Sequence, residues 1–445
     1  LEATARLVLL TADFVDADPE TYALPVAFGE AGFSRALISA IERGSRFRGD
    51  RFELAAVAAP GLTALCGEGD LKIFRRLEPG VNPDLEIGRF LTEKTTFRQT
   101  PRVAGWLEIR PRGPGEAYTL GVLREMVPNE GDAWSYTQDA LGRYYERAVT
   151  GWGRGERGPA PVPAEPLVEL AGRELEPDDF ERLGTYLPTV RLLGERTAEL
   201  HIALASVRDD RDFAPEPFSE LYQRSLYDSM RTQAKRAFRL LRQRLEELPP
   251  AARESAGRVL AEEDRVLERF RRLVGARLAA ERIRCHGDYH LRRVLYTGRD
   301  FLIRDFEGEP SRSLSERRLK RSPLRDVAGR LRSFHHAAYA KLSEEAAAGV
   351  ATAEALGELA SWARYWERWV SAAFLRAYLE RARGASFLPA APGELATLLD
   401  AYLLEKALYE LTGELNNFPD RRPDRRPDRL DIPLAGILQI LGEGR

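Results

Sequence analysis

The run Cys285-His-Gly-Asp-Tyr-His290, followed after one short connection by Phe301-Leu-Ile-Arg-Asp-Phe306, constrains this chain more than any other feature. The first run reads as a His-x-Asp on a turn after a strand. The second is an Asp at the end of an apolar strand. The separation of Asp288 and Asp305 suits a strand-turn-strand return that puts two carboxylates on adjacent loops. Either run alone is weak, and a satisfied turn Asp beside a helix-capping Asp is the bland alternative. Order adds weight, because the pair lies inside a helical half that follows a β-rich half.

Phosphoryl transfer needs such a pair. One Asp accepts or orients the proton of the attacking hydroxyl, and the other holds magnesium against the nucleotide phosphates. A lysine on an early strand, Leu71-Lys-Ile-Phe74, precedes a helix carrying Glu86. A strand lysine paired to a helix carboxylate belongs to the same chemistry.

The surrounding pattern supports the order. Residues 6–52 read as a small α+β unit with a helix over Ala31–Ile41. Asn82 and Pro83 mark a helix start as N-cap and first position. Gly105–Arg110 and Tyr118–Glu125 read as a hairpin closed by the Pro/Gly-rich turn Pro111–Gly115. Beyond Pro128 the chain is mostly helical, including Glu195–Ser206 with His201. Phe218–Leu248 and Arg253–Leu278 are expected to pack as an antiparallel pair, the second burying Leu260, Val266, Leu267, Phe270 and Val274. Three Pro-Asp-Arg repeats over Phe418–Arg429 forbid a helix and read as a solvated loop, with phosphate binding as the weaker alternative.

Composition excludes more than it selects. A chain of 445 residues exceeds one ordinary core, so two or three packed units are expected. A net charge of −2 gives no pull toward nucleic acid or anionic membrane. No apolar stretch is long enough to span a bilayer, and no signal peptide is visible. Cys66 and Cys285 read as unpaired thiols in a reducing cytosol, and no CxxC or HExxH zinc spacing occurs. The chain opens at Leu1 without an initiator Met, as expected of a processed chain, a fragment or part of a longer protein.

From about Leu71 onward the motifs together resemble the maltokinase family, which is related to aminoglycoside phosphotransferases and protein kinases. They are Glu78–Pro83, Val127–Asp132 before Trp134, His286–Leu291, Asp305–Pro310, Ser322–Gly329, Glu405–Glu410 and Glu414–Asn417. The resemblance implies an α+β, bilobal, protein-kinase-like (aminoglycoside phosphotransferase-like) fold. It implies a small N-terminal α+β cap over 1–55, a β-rich lobe over 56–128 and a helical lobe over 129–445, with the nucleotide between the lobes. It implies transfer of the γ-phosphoryl of ATP to maltose, giving maltose 1-phosphate for α-glucan synthesis in the cytoplasm. Asp288 with His286 would be catalytic, and Asp305 with Glu307 would hold Mg²⁺. Lys72 and its partner Glu86 would steady the phosphates, and Glu125 and Val127 in the hinge Arg124–Pro128 would receive the adenine. His290, Arg325, Tyr409 and Glu414 would face the sugar, and Asp326 would support the catalytic turn. A trehalose synthase, fused or separate, would supply maltose.

The sequence departs from that pattern in four places. Arg293 stands where kinases of this fold place an Asn or Gln as second metal ligand, and Arg offers no lone pair. At about 4 Å and an effective dielectric near 20, a unit charge pair is worth roughly 4 kcal/mol, so a guanidinium beside Mg²⁺ would weaken it. Arg304 precedes Asp305 where an apolar residue is expected, and strand alternation points it to the opposite face. The nucleotide loop is reduced to Pro60–Asp70, with Gly67 and Gly69 to cradle phosphate. Gly413 replaces a second sugar-side Tyr. These departures motivate two alternatives: a non-catalytic relative that binds glucan, nucleotide or a partner enzyme, and a kinase for another small hydroxylated substrate such as an amino sugar.

Overall fold

The computed structural model describes residues 6–14, 19–26, 30–49, 51–60, 69–153, 161–347, 353–417 and 430–442. Residues 61–68 of the reduced nucleotide loop Pro60–Asp70, with Cys66 and Gly67, and the Pro-Asp-Arg repeat (418–429) lie outside the described residues. The chain forms two compact units. The first takes described residues up to Glu130 together with His286–Asp288 and Thr297–Leu319, and the second takes the rest.

In the first unit β1 (Arg6–Ala12) and β2 (Glu20–Val26) pair antiparallel from Arg6↔Val26 to Ala12↔Glu20. Next come α1 (Glu30–Glu42), β3 (Arg46–Arg48), β4 (Phe52–Ala58), β5 (Asp70–Ile73), β6 (Arg76–Leu77), α2 (Pro83–Lys94), β7 (Val103–Pro111) and β8 (Tyr118–Arg124). The main sheet is antiparallel with order β3-β4-β7-β8-β5, and β6 joins β2 in a smaller sheet. The expected hairpin forms as β7–β8, with Ile109 opposite Tyr118. β7 is central and reads as an apolar run rather than an alternation, because α1 and α2 both pack against it. Ile41, Leu85, Trp106, Leu107, Val122 and Leu123 form the core. Asn82 caps α2 as expected, its side chain accepting the Asp84 N–H at 2.9 Å.

The second unit is helical: α3 (Ala133–Gly153), α4 (Leu167–Gly172), α5 (Pro177–Leu183) and α6 (Tyr186–Leu204) precede a two-residue strand, β9 (Glu216–Pro217). Then come α7 (Glu220–Arg244), α8 (Pro250–Ala261) and α9 (Glu263–Gly275). The single helix expected over 253–278 is therefore two. Glu262 donates its N–H to the Val259 carbonyl at 3.0 Å, a tightened turn that ends α8 and resets the helical phase. The reset changes the buried stripe to Val259, Val266, Phe270 and Leu273, leaving Val274 41% exposed. The antiparallel pairing itself holds for α7 and α9. Gln223 near the start of α7 donates to the Ala276 carbonyl at 2.7 Å, and Arg242 near its end pairs with Glu263.

β10 (Glu281–Arg282), β11 (Val294–Tyr296), β12 (Phe301–Ile303) and α10 (Leu314–Arg317) follow, and β12 and α10 fall in the first unit. Ile303 donates to the Gln99 carbonyl at 2.8 Å, which sets the strand that leads to Asp305. α11 (Leu324–Ala347), α12 (Ala353–Arg381), α13 (Pro392–Asn417) and α14 (Asp431–Leu441) complete the second unit. No described helix is long and apolar enough to cross a membrane. Cys285 is buried and unbridged, and burial pushes its thiol up.

Candidate active site

Four stretches of the first unit converge on one ion-pair cluster. Lys72 lies on β5, an edge strand fixed by the pairing Lys72↔Val122. Its ammonium is 2.7 Å from Asp305 and 3.3 Å from Asp84, and it also contacts Glu307. Arg124, at the end of β8 and 3% exposed, reaches Asp84 at 2.5 Å and Asp305 at 3.7 Å. Burial alone would raise the Asp84 carboxyl, but Arg124, Lys72 and the Phe306 N–H outweigh it and hold it below the usual range. Asp305 follows the same logic: burial raises it, Lys72 lowers it, and the net shift is downward. Burial opposes the charge on Lys72, yet Asp84, Glu307 and Asp305 leave its ammonium pKa raised.

The sequence assigned the Lys72 partner to Glu86, and the structure corrects this. Glu86 is taken by Arg318 at 2.7 Å, whereas Asp84, one helical half-turn earlier, points its carboxylate into the unit and meets Lys72. Asp84 also accepts the Phe306 N–H at 2.9 Å, so one carboxylate grips both the lysine strand and the loop carrying Asp305.

That loop has special geometry. Asp305 has φ +65°, the one non-glycine residue with positive φ among those described. Asp tolerates this region better than most residues. The turn aims the Phe306 N–H at Asp84, and it also overturns the expected orientation of Arg304. Alternation holds only for extended backbone. Here Arg304 Nε lies 3.5 Å from Asp305 Oδ2 and Nη1 lies 4.0 Å from Asp70, so the guanidinium shares the face of Asp305.

Asp288 is half-buried on its turn. Its N–H donates to His286 Nδ1 at 3.4 Å, and His286 Nε2 donates to the Arg304 carbonyl at 3.0 Å. The imidazole, 1% exposed and beside Phe306, ties the Asp288 turn to the strand that delivers Asp305. The sequence grouped His286 with Asp288 as catalytic. Both of its ring nitrogens are bonded to backbone atoms, so it joins the two loops. Gly287 has φ +85°, which disfavours any side chain, and a Cβ there would lie 3.1 Å from the Gly308 Cα, close enough that the facing loop would have to give by a few tenths of an ångström.

At the hinge, Glu125 donates its N–H to the Arg102 carbonyl at 3.0 Å, and the Val127 carbonyl accepts from Asn129 at 3.0 Å. The other expected site residues belong to the second unit. His290 precedes a 3₁₀ turn over Leu291–Arg293 and accepts the Arg293 N–H at 2.9 Å. Arg325 and Asp326 open α11, and Asp326 meets His201 Nε2 at 3.2 Å while His201 Nδ1 meets the Tyr378 hydroxyl at 3.0 Å. Tyr289, next in sequence to Asp288, is held by the Thr197 hydroxyl at 2.9 Å and by Arg330 stacked 3.9 Å above its ring. Tyr409, half-buried on α13 under the Lys406 ammonium, lies on the same helix as Glu414.

Asp84 is the residue of this cluster that sequence reasoning missed, and Arg124 was read only as the start of the hinge. Arg124 carried a signal, a charge ending an apolar strand. Asp84 did not, because an Asp in a first helical turn usually serves the helix end.

The carboxylate oxygens of Asp84, Asp305 and Glu307 lie within 4.8 Å of one another. An all-oxygen set of that size fits a hard divalent cation.

No protein-family model matches the chain. Solved structures of glucosamine kinase do match. One crystal form has a TM-score of 0.62 at 18% identity, covering 98% of this chain and 94% of that one. A complex of glucosamine kinase with glucosamine, ADP and inorganic phosphate has a TM-score of 0.61 at 18% identity, with the same coverage. This chain has a protein-kinase-like α+β fold. The likeness to glucosamine kinase is one of architecture, spread over nearly the whole of both chains.

Proposed function

We propose that this chain is a sugar kinase that moves the γ-phosphoryl of ATP onto a sugar hydroxyl. The observation that carries the reading is the convergence of Lys72, Asp84, Asp305 and Glu307 beside the loop tied to Asp288. Asp305 and Glu307, with Asp84, would hold Mg²⁺, which when bound supplies positive charge to the nucleotide phosphates. Lys72 exchanges carboxylate partners for phosphate oxygens. Asp288 accepts the proton of the acceptor hydroxyl while that oxygen bonds to the γ-phosphorus. The bond from phosphorus to the β–γ bridging oxygen breaks, and ADP leaves. His286 and Asp84 hold the two loops at a fixed separation.

Maltose is the acceptor favoured by the motif resemblance, through His290, Arg325, Tyr409 and Glu414, with maltose 1-phosphate as product. An amino sugar is the second reading, favoured by the match to a glucosamine kinase holding glucosamine and ADP. The two are separated by incubating the chain with ATP, Mg²⁺ and either maltose or glucosamine, and weighing the products by mass spectrometry. Maltose phosphate that falls about a hundredfold or more in Asp288→Asn supports the first reading. Glucosamine phosphate alone transfers the assignment to the second. Folded protein that binds ADP and makes neither is the non-catalytic relative suggested by Arg293 and Arg304.

A further inference from the structure

The loop between β12 and α10 carries Asp305 and Glu307. It belongs to no strand or helix, yet carboxylates that share an ion must be presented to within about 0.5 Å. Something outside the loop has to hold it.

Arg317, on α10, does so with all three of its guanidinium nitrogens. Nη1 donates to the Glu307 carbonyl at 3.0 Å, Nε donates to the Arg312 carbonyl at 3.1 Å, and Nη2 pairs with Glu78. The side chain is only 7% exposed. Its stem lies on Gly308, where φ is +75° and a Cβ would meet Arg317 Cγ at 3.3 Å. The loop is also closed on itself, because Arg312 Nε donates to the Glu309 carboxylate at 2.7 Å.

Glu78 is the fixed point of this arrangement. It follows β6 directly, and its other oxygen accepts the Leu314 N–H at 2.9 Å. One carboxylate therefore grips both the start of α10 and the arginine that reaches back to Glu307. The next residue, Arg318, bonds elsewhere, to Glu86 on α2 at 2.7 Å. All of these residues lie in the first unit.

We propose that Arg317 is a positioning residue for the cation-binding carboxylates, with Glu78 as its anchor. The inference rests on the reading of Asp84, Asp305 and Glu307 as the Mg²⁺ set. Arg317 holds the Glu307 backbone from behind, so the carboxylate exchanges Lys72 for an ion by rotating its side chain while the loop stays in place. Bonds from a guanidinium are charge-assisted and stronger than neutral ones. A lysine can face Glu78 as a point charge, but it has no planar fork to span two carbonyls as well. Groups that hold a metal ligand in this way typically change metal affinity by about tenfold to a hundredfold.

The test is a titration of the full chain with Mn²⁺, at one fixed ADP concentration, followed by electron paramagnetic resonance of the free ion, with a protein-free ADP blank subtracted. Sugar phosphorylation is measured on the same samples. The variants are Arg317→Ala, Arg317→Lys and, as a control on the same short helix, Arg318→Ala. Mn²⁺ should bind about tenfold more weakly in both Arg317 variants and unchanged in Arg318→Ala. Thermal melts should place Arg317→Lys closer to the unaltered chain than Arg317→Ala, since the lysine keeps the pair with Glu78. That split, stability recovered and ion affinity not, is what an arginine serving only as an ion pair would fail to give. Unchanged Mn²⁺ affinity in Arg317→Ala, full recovery of affinity in Arg317→Lys, or an equal loss in Arg318→Ala would each overturn the proposal. So would an unaltered chain that binds no Mn²⁺. A chain that binds Mn²⁺ in the expected order but phosphorylates no sugar would sink the kinase reading and leave the role of Arg317 supported.

Discussion

Asp84 Oδ2 lies 3.3 Å from the Lys72 ammonium while Oδ1 of the same carboxylate accepts the Phe306 N–H at 2.9 Å. One buried side chain thus fixes the separation between Lys72 and the Asp305 loop. Arg124 is the counter-charge that makes Asp84 tolerable, since an isolated buried carboxylate would be costly.

Asp84→Asn keeps the shape and one acceptor but leaves Arg124 buried with its main partner neutral. Breaking such a pair costs about 3–5 kcal/mol. Glu86→Gln disturbs a part-buried pair with Arg318, whose side chains are 34% (Arg318) and 10% (Glu86) exposed, so its loss costs less than that of the fully buried Asp84–Arg124 pair. Thermal melts should show a large drop for Asp84→Asn and a small one for Glu86→Gln. The reverse order would restore Glu86 as the lysine's anchor.

Acid should act through the same cluster. Asp84 and Asp305 both have folded-state pKa values below their unfolded ones. Their contribution to stability is therefore complete above the unfolded value, near pH 4, and is lost as pH falls through the folded values. The expected outcome is a melting temperature that falls below about pH 4, and a shallower fall in Asp305→Asn, which has one fewer carboxylate to protonate. Asn is chosen because it accepts the positive φ of Asp305. Parallel acid profiles for the two proteins would remove Asp305 from the account.

Local chemistry made much of this legible in advance. Asn82 and Pro83 announced α2, the Pro/Gly turn announced β7–β8, and the His-Gly-Asp run placed Asp288 on a turn. What escaped were effects that spacing does not encode. Glu86 and Asp84 both fit a helix after a strand lysine, and which one reaches Lys72 depends on how α2 is rotated in the unit. The Arg304 orientation failed because a single left-handed residue, Asp305, ended the alternation on which it rested. The division at Glu262 escaped because apolar spacing ran across it without interruption.

His286 offers a way to tell positioning from proton transfer. Both ring nitrogens are bonded to backbone atoms, Nδ1 to the Asp288 N–H and Nε2 to the Arg304 carbonyl. His286→Ala should lower kcat by about tenfold to a hundredfold through a loosened turn, while the pH profile of the remaining activity keeps its shape. Loss of one limb of that profile would instead make the imidazole a general acid or base.

Gly413 lies exposed on α13, four residues after Tyr409, where a Cβ would meet nothing within 4 Å. Gly413→Tyr should therefore fold without repacking and stabilise the helix by roughly 0.5 kcal/mol, since glycine is the weaker helix former. The new ring would flank Tyr409 on one helical face, offering a sugar a second apolar surface. If that face takes the acceptor, KM for maltose should fall by about threefold to tenfold with kcat unchanged, equivalent to about 1 kcal/mol. A stabilised variant whose maltose KM does not move would remove α13 from the sugar site and leave the acceptor to the residues around His290 and Arg325.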